Sequence, residues 1–347
     1  CGVRQGRRRR GGRGRRCAAS RGPRMSARPR LLVLDDREGK IEAAPAIERL
    51  RELADVEVLR TPLSEVDDAE LKDVRVVLAI RERTGFDAQT LARLPALELI
   101  LQTGSHAYHV DTDAAKRQGV QIVLQRRGTA ARAAVPELTF GLMIAAIRDF
   151  PLGQRNLVDG QWPDLIGRCL AGRRLGLLGV GRHGARVARV GEAFGMDVVA
   201  WARPGSSATE ADDGIPRLEL NELLATCDVV SIHLKLSDES RGLLDRARLD
   251  RFKPGAILVN TARGAIVDEA ALVDVLREGP LAAAGLDVFT TEPLPADSPL
   301  LTLPNVVLTP HVGWTVEEVF DEFAAIAADQ LGAYLDDRLD PAELMRP

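Results

Sequence analysis

Residues 174–194, RLGLLGVGRHGARVARVGEAF, constrain the fold more than any other stretch. The apolar run RLGLL leads into GVGRHG, which satisfies G-x-G-x-x-G and opens a helix-compatible segment. A phosphate-cradling strand–turn–helix requires that order. Gly179 and Gly181 permit a tight turn and close backbone approach to a pyrophosphate. Gly184 lets the helix pack against the strand, and the positive helix end faces the anion. Arg182 and His183 lie inside the loop as further cofactor-binding candidates. The plainer reading, a chance glycine cluster in a βα turn, loses weight because both flanking elements are present.

Similar apolar runs fill the chain. LLVLDD, VEVLR, VRVVLAI, LELILQTG and QIVLQ precede the loop, and MDVVAWA, DVVSIHL, AILVNTA, AAAGLDV and NVVLTP follow it. Short continuous apolar runs between helical patterns predict parallel sheets covered on both faces. The fold class is therefore α/β, with two doubly wound parallel-sheet domains, and 347 residues suffice for both. One helix is expected over 135–159, with Pro136 in its first turn and Gly160 as its C-terminal cap. Residues 316–337 read as an amphipathic helix returning to the first domain.

Residues 1–24 carry ten arginines and no acid, so the remainder, with 37 Lys and Arg against 50 Asp and Glu, sums to −13. A body that acidic repels phosphate backbones, which argues against a nucleic-acid partner. The Arg/Gly-rich head, residues 1–28, cannot bury apolar surface and is expected to be disordered. An RNA- or membrane-binding arm and a transit peptide are its functional readings; upstream sequence ahead of a true start at Met25 is preferred. Cys169 and Cys227 are expected as buried thiols in a reducing cytoplasm, and no cysteine or histidine spacing suggests a metal. The most apolar helical stretch, 138–147, is shorter than the ~20 residues that span a bilayer, so no membrane partner is expected.

Three segments after the loop hold the chemistry: NTARG with Arg263, TTEPLP with Glu292 and TPHVG with His311. An arginine fork fixes a carboxylate, a histidine moves a proton, and a glutamate holds that histidine charged. Following a dinucleotide loop, the set reads as a nicotinamide-dependent dehydrogenase acting on a small hydroxy or keto acid. Taken singly, the three also read as a surface ion-pair partner, a loop charge before Pro293 and a satisfied strand-end histidine. Where an acid would hold the adenosine ribose, the chain has Ala202 and then Arg203. That leans from NAD toward NADP, although Arg203 stacked on adenine or turned to solvent is also consistent.

Taken together, LPALELILQTG, AVPELT, GRRLGLLGVGRHG, DVVSIHL, FKPGAILVNTARGAIVDEAAL, AGLDVFTTEPLP and LPNVVLTPHVG resemble the D-isomer-specific 2-hydroxyacid dehydrogenase family, from Leu31 to about Leu339. The resemblance implies a flavodoxin-like substrate domain over 29–126 and 312–347, and a Rossmann dinucleotide-binding domain over 127–311. It implies that Arg263 grips the substrate carboxylate and that His311 donates a proton as hydride reaches the keto carbon. Glu292 is implied to bond the other imidazole nitrogen and favour the charged ring. Asp287 is implied at the nicotinamide carboxamide, with Thr261, Ala262 and Trp314 lining the cofactor or substrate pocket. Backbone groups of Thr103, Gly104, Ser105 and His106 are implied to face the substrate carboxylate.

His233 reads equally well as a cofactor neighbour or a structural residue, and His109 as a loop histidine. Ala202, His183, Lys235 and Pro136 depart from the family pattern, where aspartate, an aliphatic residue, proline and alanine are usual. The expectation is an NAD- or NADP-dependent oxidoreductase of 2-keto and D-2-hydroxy acids that forms a homodimer through the helix over 135–159. Formate dehydrogenase is a related alternative, but it typically pairs its histidine with glutamine, and Glu292 argues against it. The C-terminal-binding co-repressors, dinucleotide-sensing interaction modules, retain the three residues and form the alternative from a different class.

Overall fold

The computed structural model describes residues 28–202 and 213–345, so Arg203 and residues 1–27 of the head lie outside the described residues. Strands β1 (Arg30–Leu34), β2 (Asp55–Val58), β3 (Val74–Ala79), β4 (Leu99–Gln102) and β5 (Gln121–Leu124) form a parallel sheet ordered β2-β1-β3-β4-β5. Strands β6 (Arg174–Leu178), β7 (Asp197–Trp201), β8 (Val229–Ile232), β9 (Ala256–Asn260), β10 (Leu281–Leu286) and β11 (Val306–Leu308) form a second, ordered β11-β10-β9-β8-β6-β7. Helices α1 (Lys40–Ala43), α2 (Ile47–Leu53), α3 (Asp68–Leu71), α4 (Ala88–Ala92) and α5 (Thr112–Gln118) alternate with the first five strands. Helices α6 (Ala131–Ile147) and α7 (Phe150–Val158) join the sheets. Then α8 (Arg182–Ala193), α9 (Leu220–Thr226), α10 (Arg246–Leu249) and α11 (Glu269–Glu278) serve the second sheet, and α12 (Glu317–Leu335) follows β11.

The apolar runs become strands buried on both faces because successive side chains point to opposite sides. Leu31 and Val33 pack with Val319, Phe320 and Phe323 of α12, while Leu32 and Leu34 pack beneath α3, α4 and α5. In the second sheet, Leu175 and Leu177 meet Phe140 and Met143 of α6, while Leu178 meets Leu223 and Leu224 of α9. Thus α6 leaves the first sheet to cover the second, and α12 returns from the second to cover the first. Outboard of β7, Ala200 forms a single parallel bridge to Arg217. Strand order reverses between β1 and β3 and between β6 and β8. Crevices open at the carboxyl ends of such reversals.

The helix expected over 135–159 is two helices. Asp149 takes a left-handed conformation at φ 52° between them. Pro151 lacks the N–H that would bond the Ile147 carbonyl, and its ring would collide with that carbonyl. The first helix also begins earlier than expected, at Ala131, which moves Pro136 beyond the first turn. Its start is capped from a distance: Glu322 of α12 accepts from Thr129 N at 2.7 Å, Thr129 Oγ1 at 2.8 Å and Ala130 N at 2.9 Å. A carboxylate there satisfies orphan donors and opposes the helix dipole. Cys227 is buried as expected, but Cys169 is exposed. Its segment runs over the surface, and Leu170 next to it supplies the apolar anchor.

Candidate active site

The phosphate loop fills the reversal between β6 and β8. Gly179 sits at φ 97°, a conformation that disfavours side chains, and a Cβ there would lie 3.0 Å from the His233 carbonyl oxygen. A Cβ on Gly184 would lie 2.2 Å from the Gly179 carbonyl oxygen, so helix and loop touch backbone to backbone. Gly181, by contrast, faces open space at the head of α8. These features fit a pyrophosphate resting on the helix N-terminus. His233 follows β8, and its Nε2 lies 2.9 Å from Ser231 Oγ. Burial, with His183 adding, pushes the His233 imidazole down to about 3. Burial also lowers His183, followed by the charges of Arg182, Arg132, Arg263 and Arg81. Ala202 closes β7 in a buried position.

Arg263 follows β9 on a loop held by Asn260, whose Nδ2 donates to the Arg263 carbonyl and whose Oδ1 accepts from Ala262 N, both at 3.0 Å. Gly264 packs so tightly on Phe289 that a Cβ would fall 2.0 Å from a backbone carbon. Thr261 Oγ1 meets Thr139 Oγ1 of α6 at 3.0 Å. Glu292 Oε2 lies 2.6 Å from His311 Nδ1, and its other oxygen accepts from Phe289 N at 2.9 Å. Burial tends to raise the Glu292 pKa, but the bonds from His311 and Phe289 N and the charge of Arg263 hold it below the ordinary range. The three candidate catalytic residues therefore share one electrostatic neighbourhood.

Asp287 lies beneath this group, 1% exposed. Its Oδ1 accepts from Thr309 Oγ1 at 2.6 Å and Val312 N at 2.8 Å, and its Oδ2 from Gly313 N at 2.9 Å. These bonds fix the turn in which His311 adopts φ 55°, an unusual conformation for a side-chain-bearing residue. Burial raises the Asp287 pKa against the pull of those donors. The residue that the resemblance implies at the nicotinamide carboxamide is seen here shaping the histidine turn.

Across the crevice, Thr103 is buried, with its N–H on the Ala79 carbonyl and its hydroxyl accepting from Arg81 N. Gly104 makes room for Arg81, whose Nη1 would lie 2.2 Å from a Cβ there. Ser105 is exposed, whereas His106 is half-buried and reaches Arg263. Trp314 stacks under the guanidiniums of Arg81 and Arg83, 5.8 and 5.3 Å from the ring centroid, and against Phe320 and Phe323. Sequence reading missed Arg81, Glu82 and Asn260. Arg81 stands directly after a buried strand on the side where α/β ligands bind, and that position was its available signal. Its Nε is buried without a hydrogen bond, in an ion pair with Glu82 Oε2 at 3.5 Å, and its charge bears on that of Arg263. Among the described residues no cluster of His, Cys, Asp or Glu is suited to a metal.

The family profile described as "D-isomer specific 2-hydroxyacid dehydrogenase, NAD binding domain" matches residues 140–313. The TT0316 protein of Thermus thermophilus is 38% identical with TM-score 0.78, covering 90% of this chain and 98% of that one. The chain belongs to the D-isomer specific 2-hydroxyacid dehydrogenase family. Within this family it is 38% identical to a glyoxylate reductase of Aeropyrum pernix over 264 residues, 74% of this chain and 78% of the relative. It is 40% identical to a D-3-phosphoglycerate dehydrogenase of Mycobacterium tuberculosis over 256 residues, 73% of this chain and 48% of the relative. The chain thus spans about half the length of the curated phosphoglycerate dehydrogenases it matches. Both sheets match this family's folds, and the second carries its NAD-binding domain.

The depressed Glu292 carboxyl gives this family member a signed pH dependence. It ionises more readily in the fold than in the unfolded chain, so its pairing stabilises the protein above the ordinary glutamate pKa. That contribution is lost as pH falls through the lower folded value. The thermal stabilities of wild type and Glu292→Gln are expected to differ at pH 7 and to converge as pH drops below about 4.3. A gap of equal size at both ends of that titration would contradict the pairing.

Proposed function

We propose that the chain interconverts a small 2-keto acid and its D-2-hydroxy acid using a nicotinamide dinucleotide. The observation that carries this is the 2.6 Å contact of Glu292 with His311, within the electrostatic reach of Arg263. Arg263 binds the substrate carboxylate and polarises the carbonyl. His311, turned by Glu292, presents its free Nε2 as the proton donor in reduction and the acceptor in oxidation. The dinucleotide, when bound, supplies or receives the hydride. Gly179, Gly181, Arg182 and Gly184 hold its pyrophosphate, with Asp287, Thr261 and Ala262 toward the nicotinamide.

The finer features follow from particular residues. Ala202 leaves no acid to repel a 2′-phosphate, and with Arg203 next in sequence the cofactor is read as NADP in preference to NAD. Relatives are named for both phosphoglycerate and glyoxylate. A second buried guanidinium, Arg81, lies beside Arg263 and, although Glu82 Oε2 stands 3.5 Å from its Nε, favours a substrate with a second anionic group. Packing of α12 on the first sheet and α6 on the second supports a substrate domain over 29–126 and 312–347 and a dinucleotide domain over 127–311. Phe150, Leu157, Val158, Trp162 and Ile166 are exposed along α7 and the segment after it, which supports a homodimer formed there. The free thiols of Cys169 and Cys227 suit a cytoplasmic setting.

Arg263→Ala is expected to lower kcat/KM for a 2-keto acid at least about a hundredfold. Near-normal kcat/KM across glyoxylate, hydroxypyruvate and pyruvate would remove Arg263 from the site. Dinucleotide binding without turnover of any keto acid would favour an interaction module. Arg203→Ala is expected to impair NADPH more than NADH; equal losses with both would reject phosphate recognition.

A further inference from the structure

His106 belongs to the loop after β4, yet its side chain meets the loop after β9. Its Nε2 lies 3.3 Å from Arg263 Nη2. A guanidinium has donors only, so this imidazole nitrogen must accept. The ring is therefore neutral, with its proton on Nδ1, which faces Glu82 Oε1 at 3.2 Å. Glu82 there is a neighbouring charge without an aligned hydrogen bond. Tyr108 covers one ring face, with centroids 4.6 Å apart and planes 17° from parallel. The charged and titratable groups around the ring are Glu82, Arg81, Arg263 and His109. Burial pushes His106 down to about 4 against the pull of Glu82, with Arg81, Arg263 and His109 adding to the fall. The ring thus stays an acceptor throughout the neutral range.

Arg263 is held at its other end by its own loop, with Nη1 donating to the Ala262 carbonyl at 2.6 Å. Nη2 reaches across the crevice to His106. A long side chain already restrained in its working orientation loses less freedom when it engages a carboxylate.

We propose that His106 is a positioning residue: a neutral acceptor from the opposite lobe that holds the Arg263 guanidinium ready for the substrate carboxylate. This rests on the reading of Arg263 as the carboxylate clamp. Protonating His106 removes the acceptor and sets a cation against a cation, so the tether fails in acid.

Steady-state kinetics with the keto acid that wild type turns over best among glyoxylate, hydroxypyruvate and pyruvate test the proposal. His106→Ala is expected to raise its KM roughly tenfold, the scale of one charge-assisted hydrogen bond, with kcat and dinucleotide affinity within about twofold. His106→Gln, whose Oε1 still accepts, recovers most of the loss. Wild-type KM rises below about pH 5, as His106 titrates toward about 4, and that rise is absent from His106→Gln. Unchanged KM in His106→Ala while Arg263→Ala raises it overturns the proposal alone. Unchanged KM in Arg263→Ala overturns the clamp reading beneath it. If the alanine variant fails to fold, His106→Leu decides by the same KM, and a wild-type value there overturns the proposal.

Discussion

A carboxylate buried at the end of β10 sets the geometry of the site. Asp287 gathers two backbone N–H groups and a hydroxyl from residues 309–313, and this forces the chain through the left-handed turn at His311. Those acceptor oxygens add to the local bond from His311 N to the Thr309 carbonyl at 3.0 Å and hold the unusual backbone of His311 in place. With them, the imidazole points at Glu292, and the carboxylate–imidazole contact closes at 2.6 Å. Asp287 itself is held against its own burial, which raises its pKa, by the donors it organises.

The rest of the fold brings charges to that turn. Both sheets reverse strand order, and across the crevice Arg263 on the loop after β9 meets His106 on the loop after β4. The sequence after residue 24 is strongly acidic, yet Arg81, Arg132, Arg182, Arg263, His106, His109, His183 and His311 converge in the crevice, with Glu82 and Glu292 among them. A cleft in which guanidiniums outnumber carboxylates, set in an acidic body, concentrates small anions, while the body repels large polyanions. The lobes are held by a chain exchange, α6 over the second sheet and α12 over the first, fastened where Glu322 caps α6.

Much of this was legible in the sequence because it is local. GVGRHG lies between its strand and helix, so contiguous residues state both the turn and its anion site. Arg263, Glu292 and His311 each follow a strand-like run, which places them at strand ends before any coordinate is known. What escaped was non-local. Glu322 caps a helix 193 residues away, and no spacing announces that. Arg81 became visible as a second guanidinium only once β3 lay beside β1 and β4. The break at Asp149 was written in Pro151, but the apolar run on either side masked it. Cys169 was misplaced because a cysteine's usual burial is an average, and its surface segment has no strand or helix to turn it inward.

His311→Asn tests the central claim most directly, through NAD(P)H oxidation and dinucleotide binding measured on the same preparation. Binding is expected to persist while turnover of the preferred keto acid falls by about a hundredfold or more, the usual yield of a positioned proton donor. Turnover within about twofold of wild type would contradict that claim.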